Sequence, residues 1–204
     1  GLVVNPIVPI YRDHEVAMML SDCRARAIFT CSTFRKFDFA AMAARLKPDL
    51  PDLDFTFTVR GDGPDDLAAL VEEGRALPVV APAVDPRSVK MVLFTSGTTG
   101  RPKGVLHSHD TLENIARKSY EHWGVNVGDA IIMPSPVTHI SGYVNGLETP
   151  LINGTRVILM EAWNADDALT LIERHKVVGT VAATPFLVEL AEAASRAGKR
   201  LPSM

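Results

Sequence analysis

Four hydroxyl residues, three glycines and one lysine fall within ten positions in Thr95-Ser96-Gly97-Thr98-Thr99-Gly100-Arg101-Pro102-Lys103-Gly104. That is the chemistry of a loop built to hold phosphate. Glycines let the backbone turn its amides toward an anion in conformations other residues avoid, hydroxyls add neutral donors, and a lysine adds a mobile positive charge. The bland alternative is a Gly- and Thr-rich surface turn without function, although chance turns rarely end in Pro-Lys-Gly.

The flanks place the segment. Met91-Val92-Leu93-Phe94 reads as a buried strand and Val105-Leu106 resumes the apolar pattern, so the loop should bridge two strands at the surface of a parallel lobe. The spacing is not that of a Walker A loop. Pro102 stands before Lys103, and Gly104 occupies the place of the magnesium-binding hydroxyl.

Three further groups of residues could do chemistry. His139 sits between Pro134-Ser135-Pro136-Val137-Thr138 and Ile140-Ser141-Gly142, where a lone histidine at a strand-to-helix junction is often a satisfied structural residue. His107-Ser108-His109 puts two imidazoles on one face of an extended segment, the spacing of a two-histidine metal site. No third ligand is evident, and a structural role ahead of a helix capped by Asp110 is the preferred reading, so no metal ligand is assigned. The acidic pairs Asp65-Asp66, Glu72-Glu73 and Asp166-Asp167 read as helix caps and solvated charge.

The elements that must position these residues alternate along the chain. Apolar runs with strand character recur at Val3–Val4, Ala27–Thr30, Phe55–Val59, Met91–Phe94, Ala130–Met133, Val157–Met160 and Val177–Ala182. Helical patterns cover Asp13–Asp22, Phe34–Leu46, Pro64–Glu73, Asp110–Trp123, Asn164–His175 and Pro185–Ala197. This alternation predicts an α/β fold of parallel sheets flanked by helices. The Ala- and Pro-rich stretch 77–87 reads as a connector between a first α/β lobe, 1–76, and a second α/β segment, 88–204, that carries the glycine-rich loop.

Composition narrows the class of partner. The 204 residues can bury a real core, and 21 basic against 24 acidic side chains give a net charge of -3 with no basic stripe. Nucleic acid is therefore not expected as a partner, and a small molecule is. Cys23 and Cys31 are the only cysteines, which suits reduced core residues of a cytoplasmic protein. The apolar start, Gly1 to Ile10, is broken by Pro6 and Pro9 and is too short to span a bilayer. It also begins without methionine in the middle of a strand pattern, so a piece of a longer protein is expected.

Thr95 to Gly104 resembles the phosphate-loop signature of the acyl-adenylate-forming (AMP-binding) enzymes, which include acyl-CoA synthetases, luciferases and the adenylation domains of peptide synthetases. It matches at every position that family fixes, with Arg101 at the variable one. The resemblance extends over nearly the whole chain: 1–31 is similar to the family's Asn-Pro segment with its following helix and strand, and 129–197 to the stretch beyond its phosphate loop. It implies part of the large N-terminal domain of an acyl-CoA synthetase, a ligase that joins a carboxylic acid to ATP, releases pyrophosphate, and passes the acyl group to coenzyme A with Mg2+ as metal.

Under that resemblance Lys103 is catalytic, and Thr95, Ser96, Gly97, Thr98, Thr99 and Gly100 bind phosphate with it. His139 matches the wall of the acyl pocket, while Val137 and Thr138 depart from the bulky residues often found there. The family's aromatic-Gly-x-Thr-Glu segment, ribose-binding aspartate and small C-terminal domain would follow Met204. The isolated chain is accordingly expected to fold without turnover and to self-associate through surface bared by truncation. Two alternatives stay open: an adenylating enzyme that delivers to a carrier-protein thiol, and a non-catalytic domain that uses the glycine-rich loop to bind a partner.

Overall fold

A computed structural model describes residues 1–61, 63–80, 82–95, 102–201 and 203–204. The chain forms two compact units, one comprising Gly1 and Pro9–Val84, the other Leu2–Val8 and Asp85–Met204. Each contains a parallel sheet with helices beside it, the α/β class read from the sequence, together with an antiparallel pair.

In the first unit, α1 (Asp13–Asp22) turns Val16, Met19 and Leu20 into the core at helical spacing. Strand β1 (Ala27–Cys31) follows, and after a hairpin of β2 (Thr33–Phe34) and β3 (Phe37–Asp38) comes α2 (Phe39–Leu46). Helix was expected from Phe34. The chain instead turns through Arg35 and Lys36 at φ 48° and 66°, left-handed values outside the helical region, and α2 starts only where the Asp38 carboxylate accepts from the Ala41 amide at 2.8 Å. Strand β4 (Phe55–Val59) then pairs parallel to β1, and α3 (Leu67–Gly74) closes the unit. Its N-cap is the buried Asp66, which accepts from Ala68 N at 2.8 Å and Gly61 N at 2.7 Å, so the helix begins after the expected Pro64.

The second unit opens with β5 (Val89–Thr95) and β6 (Lys103–Ser108), and this pair is antiparallel. A parallel setting was expected for the glycine-rich loop. The connection 96–102 is too short for a crossover, which takes a dozen residues or more, so only a hairpin can close it. Helix α4 (His109–Trp123) follows and stops at Gly124, whose φ of 68° is the left-handed C-cap conformation.

The remaining strands, β7 (Ala130–Met133), β8 (Arg156–Leu159) and β9 (Val177–Thr180), form a parallel sheet in the order β8-β7-β9. All four residues of the central β7 are buried, as a parallel strand covered on both faces requires. Between β7 and β8, after the turn 134–139, the chain is helical from Ile140 to Asn153: α5 (Ile140–Tyr143), a π-helical stretch Val144–Glu148, and α6 (Thr149–Asn153). The sequence marks a strand-to-helix junction at His139 but gives no extent for the helix that follows. Helix α7 (Ala165–His175) joins β8 to β9, and α8 (Thr184–Arg196) packs beside it. Ala130, Ile132, Ala168, Leu169, Ile172, Val177, Leu190 and Ala194 make the core between sheet and helices.

The start of α7 depends on one side chain. Asn164 Oδ1 accepts from the amides of Asp166 and Asp167, both at 3.0 Å. Asn164→Ala removes both bonds and should lower stability by about 1 kcal/mol. Urea unfolding checks this: a lower midpoint at unchanged slope is expected, and an unmoved midpoint would deny the cap its role.

Candidate functional site

The β5–β6 ladder places Leu93 opposite Val105, Phe94 opposite Gly104 and Thr95 opposite Lys103. Directly opposed residues share a face, with Cβ atoms about 5 Å apart. Thr95 and Lys103 are therefore a cross-strand pair with side chains on the same face where the chain leaves the ladder, and both residues are exposed. Ser96, Gly97, Thr98, Thr99, Gly100 and Arg101 lie outside the described residues.

Gly104 has a packing reason for its identity. A Cβ built there would lie 3.0 Å from Val92 Cγ1 and 3.6 Å from Phe94 Cζ, so the Phe94 ring occupies the space beside its cross-strand partner. The aromatic covers the glycine and makes up for the side chain the strand lacks.

Beyond β6 the two histidines part company. His107 belongs to the strand and His109 to the first turn of α4, so they do not share the extended face expected of them. Ser108 between them is the N-cap, in place of Asp110: Ser108 Oγ accepts from Thr111 N at 3.3 Å, and Ser108 N donates to Thr111 Oγ1 at 3.1 Å. Asp110 sits in the first turn, where its charge meets the positive end of the helix.

His139 heads α5 as its N-cap, with the extended dihedrals φ -102° and ψ 149°, and is exposed. The Ser141 amide donates to His139 Nδ1 at 3.3 Å, and the Ser141 hydroxyl lies 2.8 Å from the same nitrogen. A backbone N–H can only donate. Nδ1 is thus an acceptor, and the proton of the neutral ring resides on Nε2. The turn before it is tight, since His139 N donates to the Pro136 carbonyl at 2.9 Å. Gly142 permits this: a Cβ there would fall onto the Pro136 carbonyl oxygen and lie 2.7 Å from that of Ser135.

One apolar cluster ties the two parts together. Met91 and Leu93 of β5 pack with Leu112 of α4 and Val144, while Ile140 and Tyr143 of α5 lie against the group. The strand that runs into the glycine-rich loop is thereby packed on the helix that His139 heads. Lys90 Nζ also meets Glu148 Oε1 at 2.6 Å. Burial, together with the charge and hydrogen bond of Glu148, pushes the Tyr143 phenol up to about 12. Burial likewise pushes Tyr120 up to about 12, and its hydroxyl, like that of Thr155, is buried without a hydrogen-bond partner among the described residues.

Sequence reasoning singled out Thr95, Lys103, His139 and the glycine after it as candidates, but gave no sign of Lys90, Tyr143 or Glu148. Periodicity carries no sign of a contact between a strand and a helix so distant in sequence. Among the described residues no group of three His, Cys, Asp or Glu side chains is placed to hold a metal ion, and no helix is long and apolar enough to cross a membrane.

Comparison with known proteins gives a family match over residues 1–204, to the family described as AMP-binding enzyme. A medium-chain fatty-acid–CoA ligase of Escherichia coli (strain K12) is 28% identical over 194 residues, 93% of this chain and 34% of the relative. The crystal structure of a long-chain-fatty-acid–CoA ligase from Archaeoglobus fulgidus superposes with TM-score 0.78 at 22% identity, covering 94% of this chain and 37% of that one. O-succinylbenzoate coenzyme A synthetase from Bacillus subtilis, solved in complex with ATP and magnesium ion, gives TM-score 0.75 at 24% identity, covering 93% of this chain and 36% of that one. The chain thus spans about a third of the length of these proteins.

Two outcomes follow from the site's packing and its phenols. Gly142→Ala sets a methyl group against backbone that cannot step aside, whereas Gly146→Ala meets only the side chains of Met133 at 3.1 Å and Leu159 at 3.3 Å. The first should cost more than about 2 kcal/mol and the second distinctly less, read as the order of their melting temperatures. For the phenols, a folded-state value raised above the unfolded 10 means that the native state holds its protons longer. Their contribution is complete below pH 10 and is lost as pH climbs through about 12. Alkaline unfolding of a Tyr120→Phe/Tyr143→Phe variant should lack that part of the slope; an identical profile would contradict the burial of the phenols.

Proposed function

The chain belongs to the AMP-binding enzyme family, and from that premise we propose that it supplies the phosphate-binding part of the adenylation site of a carboxylate–CoA ligase. One observation carries the reading: the ladder sets Thr95 and Lys103 side by side at the entrance of the glycine-rich loop. A hydroxyl donor beside a cation fits a phosphate group, and the loop amides between them would complete the cradle.

In the first step a carboxylate oxygen attacks the α-phosphorus of ATP. An acyl-adenylate forms, the bond to the β-phosphate bridging oxygen breaks, and pyrophosphate leaves with the electron pair. An anion must here approach a polyanion, so the step requires phosphate charge to be neutralised and the reacting groups to be held in line. Lys103 would supply charge, and Thr95, Ser96, Thr98 and Thr99 hydroxyls, with the backbone amides of Gly97 and Gly100 as further donors. Mg2+, carried on the nucleotide phosphates, would add Lewis-acid stabilisation when bound. In the second step the thiol of coenzyme A loses its proton, attacks the acyl carbon and displaces AMP.

His139 is assigned to the carboxylate side of the pocket, where its Nε2–H is a donor of the type a carboxylate accepts. A small carboxylic acid is the substrate class; the E. coli relative's name specifies medium-chain fatty acids. That the chain has only two cysteines, Cys23 and Cys31, suits a reducing compartment such as the cytoplasm.

The test is ATP-dependent pyrophosphate release by the full-length enzyme over short, medium, aromatic and alicyclic acids, followed by transfer to coenzyme A or to a carrier-protein thiol. Release with at least one acid and transfer to coenzyme A are expected; transfer only to the carrier would move the enzyme to the other branch of the family. Lys103→Ala should lower pyrophosphate release by the equivalent of about 1.5 to 3 kcal/mol at unchanged melting temperature, since an exposed lysine has little packing to lose. His139→Ala should change the order of preference among acids as well as the rate. A variant that slows every acid equally and only melts earlier would leave His139 as a cap alone.

A further inference from the structure

Strand β5 contains one irregularity. Val89 stands opposite Ser108 and Met91 opposite His107, so Lys90 is an extra residue without a partner on β6. In a regular strand Lys90 would face away from its neighbour Met91, which is fully buried against the helical segment. A bulge bends the strand and re-aims the side chain it carries. Lys90 Nζ reaches Glu148 Oε1 at 2.6 Å, with the side chains only 22% and 12% exposed.

The partner residue is irregular too. Glu148 is the last residue of the π-helical stretch Val144–Glu148, which interrupts the helix running from α5 to α6. A π-turn places side chains about an extra residue further round the helix than an α-turn does, and such turns recur at functional sites. Two departures from regular geometry, one in each element, thus meet in a single ion pair. Tyr143 stands about one turn earlier, packs on the cluster of Met91, Leu93 and Val144, and lies near enough to Glu148 for its charge to help hold the phenol proton.

The apolar cluster brings strand and helix together but cannot set their register, because dispersion and hydrophobic contacts have little direction. A half-buried ammonium–carboxylate contact does have direction. Breaking it leaves one charge unpaired in a poorly solvated place, so the pair resists sliding of β5 along the helix. β5 ends at Thr95, and the helix begins at His139. We propose that Lys90 and Glu148, braced by Tyr143, are positioning residues that hold the phosphate-loop strand in register with the helix headed by His139, and so align nucleotide phosphate with the acid. The catalytic half of this statement rests on the adenylation reading above; the structural half does not.

The test combines amide hydrogen exchange with kinetics on the full-length enzyme. Glu148→Gln should speed exchange about tenfold in 92–95, 103–106 and 139–143 while leaving β7 and β8 unchanged, since local opening and not global unfolding is at issue. The same variant should lose about ten- to a hundredfold in kcat for pyrophosphate release with a much smaller change in the KM for ATP, as misalignment of bound groups predicts. Should it not fold, Lys90→Met/Glu148→Leu keeps the volume and removes both charges; it should melt near the wild type yet show the same faster exchange and lower kcat. Unchanged exchange in either variant overturns the proposed register lock. Faster exchange with unaltered kcat overturns its role in alignment. A wild-type enzyme that releases no pyrophosphate with any acid defeats the adenylation reading, and the exchange data still decide the structural half.

Discussion

Everything proposed for this chain depends on how the ends of a short glycine-rich loop are fixed. Each residue ordered from a free chain costs roughly 1 to 2 kcal/mol in backbone entropy, and glycine loses more than other residues. A loop of glycines and threonines has few apolar side chains with which to offset that cost. The antiparallel ladder of β5 and β6 shortens the problem, because its final pair already places Thr95 and Lys103 together. Buried Met91 and Leu93 hold one strand of the ladder to the core, while β6 is largely exposed and is held by its pairing and by Phe94 over Gly104. The cation is thus presented on an outer strand and the apolar anchor lies on the inner one.

The parallel sheet plays a different part. β7 is central and buried, and its carboxyl end leads directly into Pro134 and the turn before His139. In open parallel sheets ligands collect beyond the carboxyl ends of strands, because the connections there are free to vary while the strands are fixed by burial on both faces. Ser135 is buried and Gly142 sits against the Ser135 and Pro136 carbonyls, so the turn is held as firmly as the strand it follows. Rigid placement of His139 is thereby a consequence of backbone packing.

Much of this was legible in the sequence, and the parts that were not share a cause. Strands β1, β4, β7, β8 and β9 and helices α1, α4, α7 and α8 each follow from one uninterrupted apolar pattern and lie close to where that pattern places them. The loop was legible because its residue types are chemically unusual together. Helix α2 was drawn too long because Arg35 and Lys36 adopt left-handed turn conformations that their types do not announce. The extent of the helical run from Ile140 to Asn153 was not legible because it contains Gly142, Gly146 and Pro150, which argue against helix locally. The antiparallel sense of β5 and β6 was deducible from loop length alone, but the alternation of elements elsewhere pointed the other way.

For His139 the sequence left a choice between a satisfied structural residue and a pocket residue; the geometry gives it a structural bond, and that bond is compatible with the pocket role proposed. An N-cap histidine must use one ring nitrogen to accept from the helix's first amides, and His139 does so through Nδ1 from Ser141. That acceptance fixes which nitrogen carries the proton, because neutral imidazole has only one N–H. It also fixes the ring's orientation, since Nδ1 is tied to both the amide and the hydroxyl of Ser141. The remaining polar atom, Nε2, is then a donor of set direction on an exposed residue at the carboxyl end of a buried strand. A glutamine or asparagine could cap the helix but would not hold a donor at the same reach on a rigid plane. The structural bond would therefore also orient the donor that the proposed pocket role needs, as a second partner commonly orients a functional histidine.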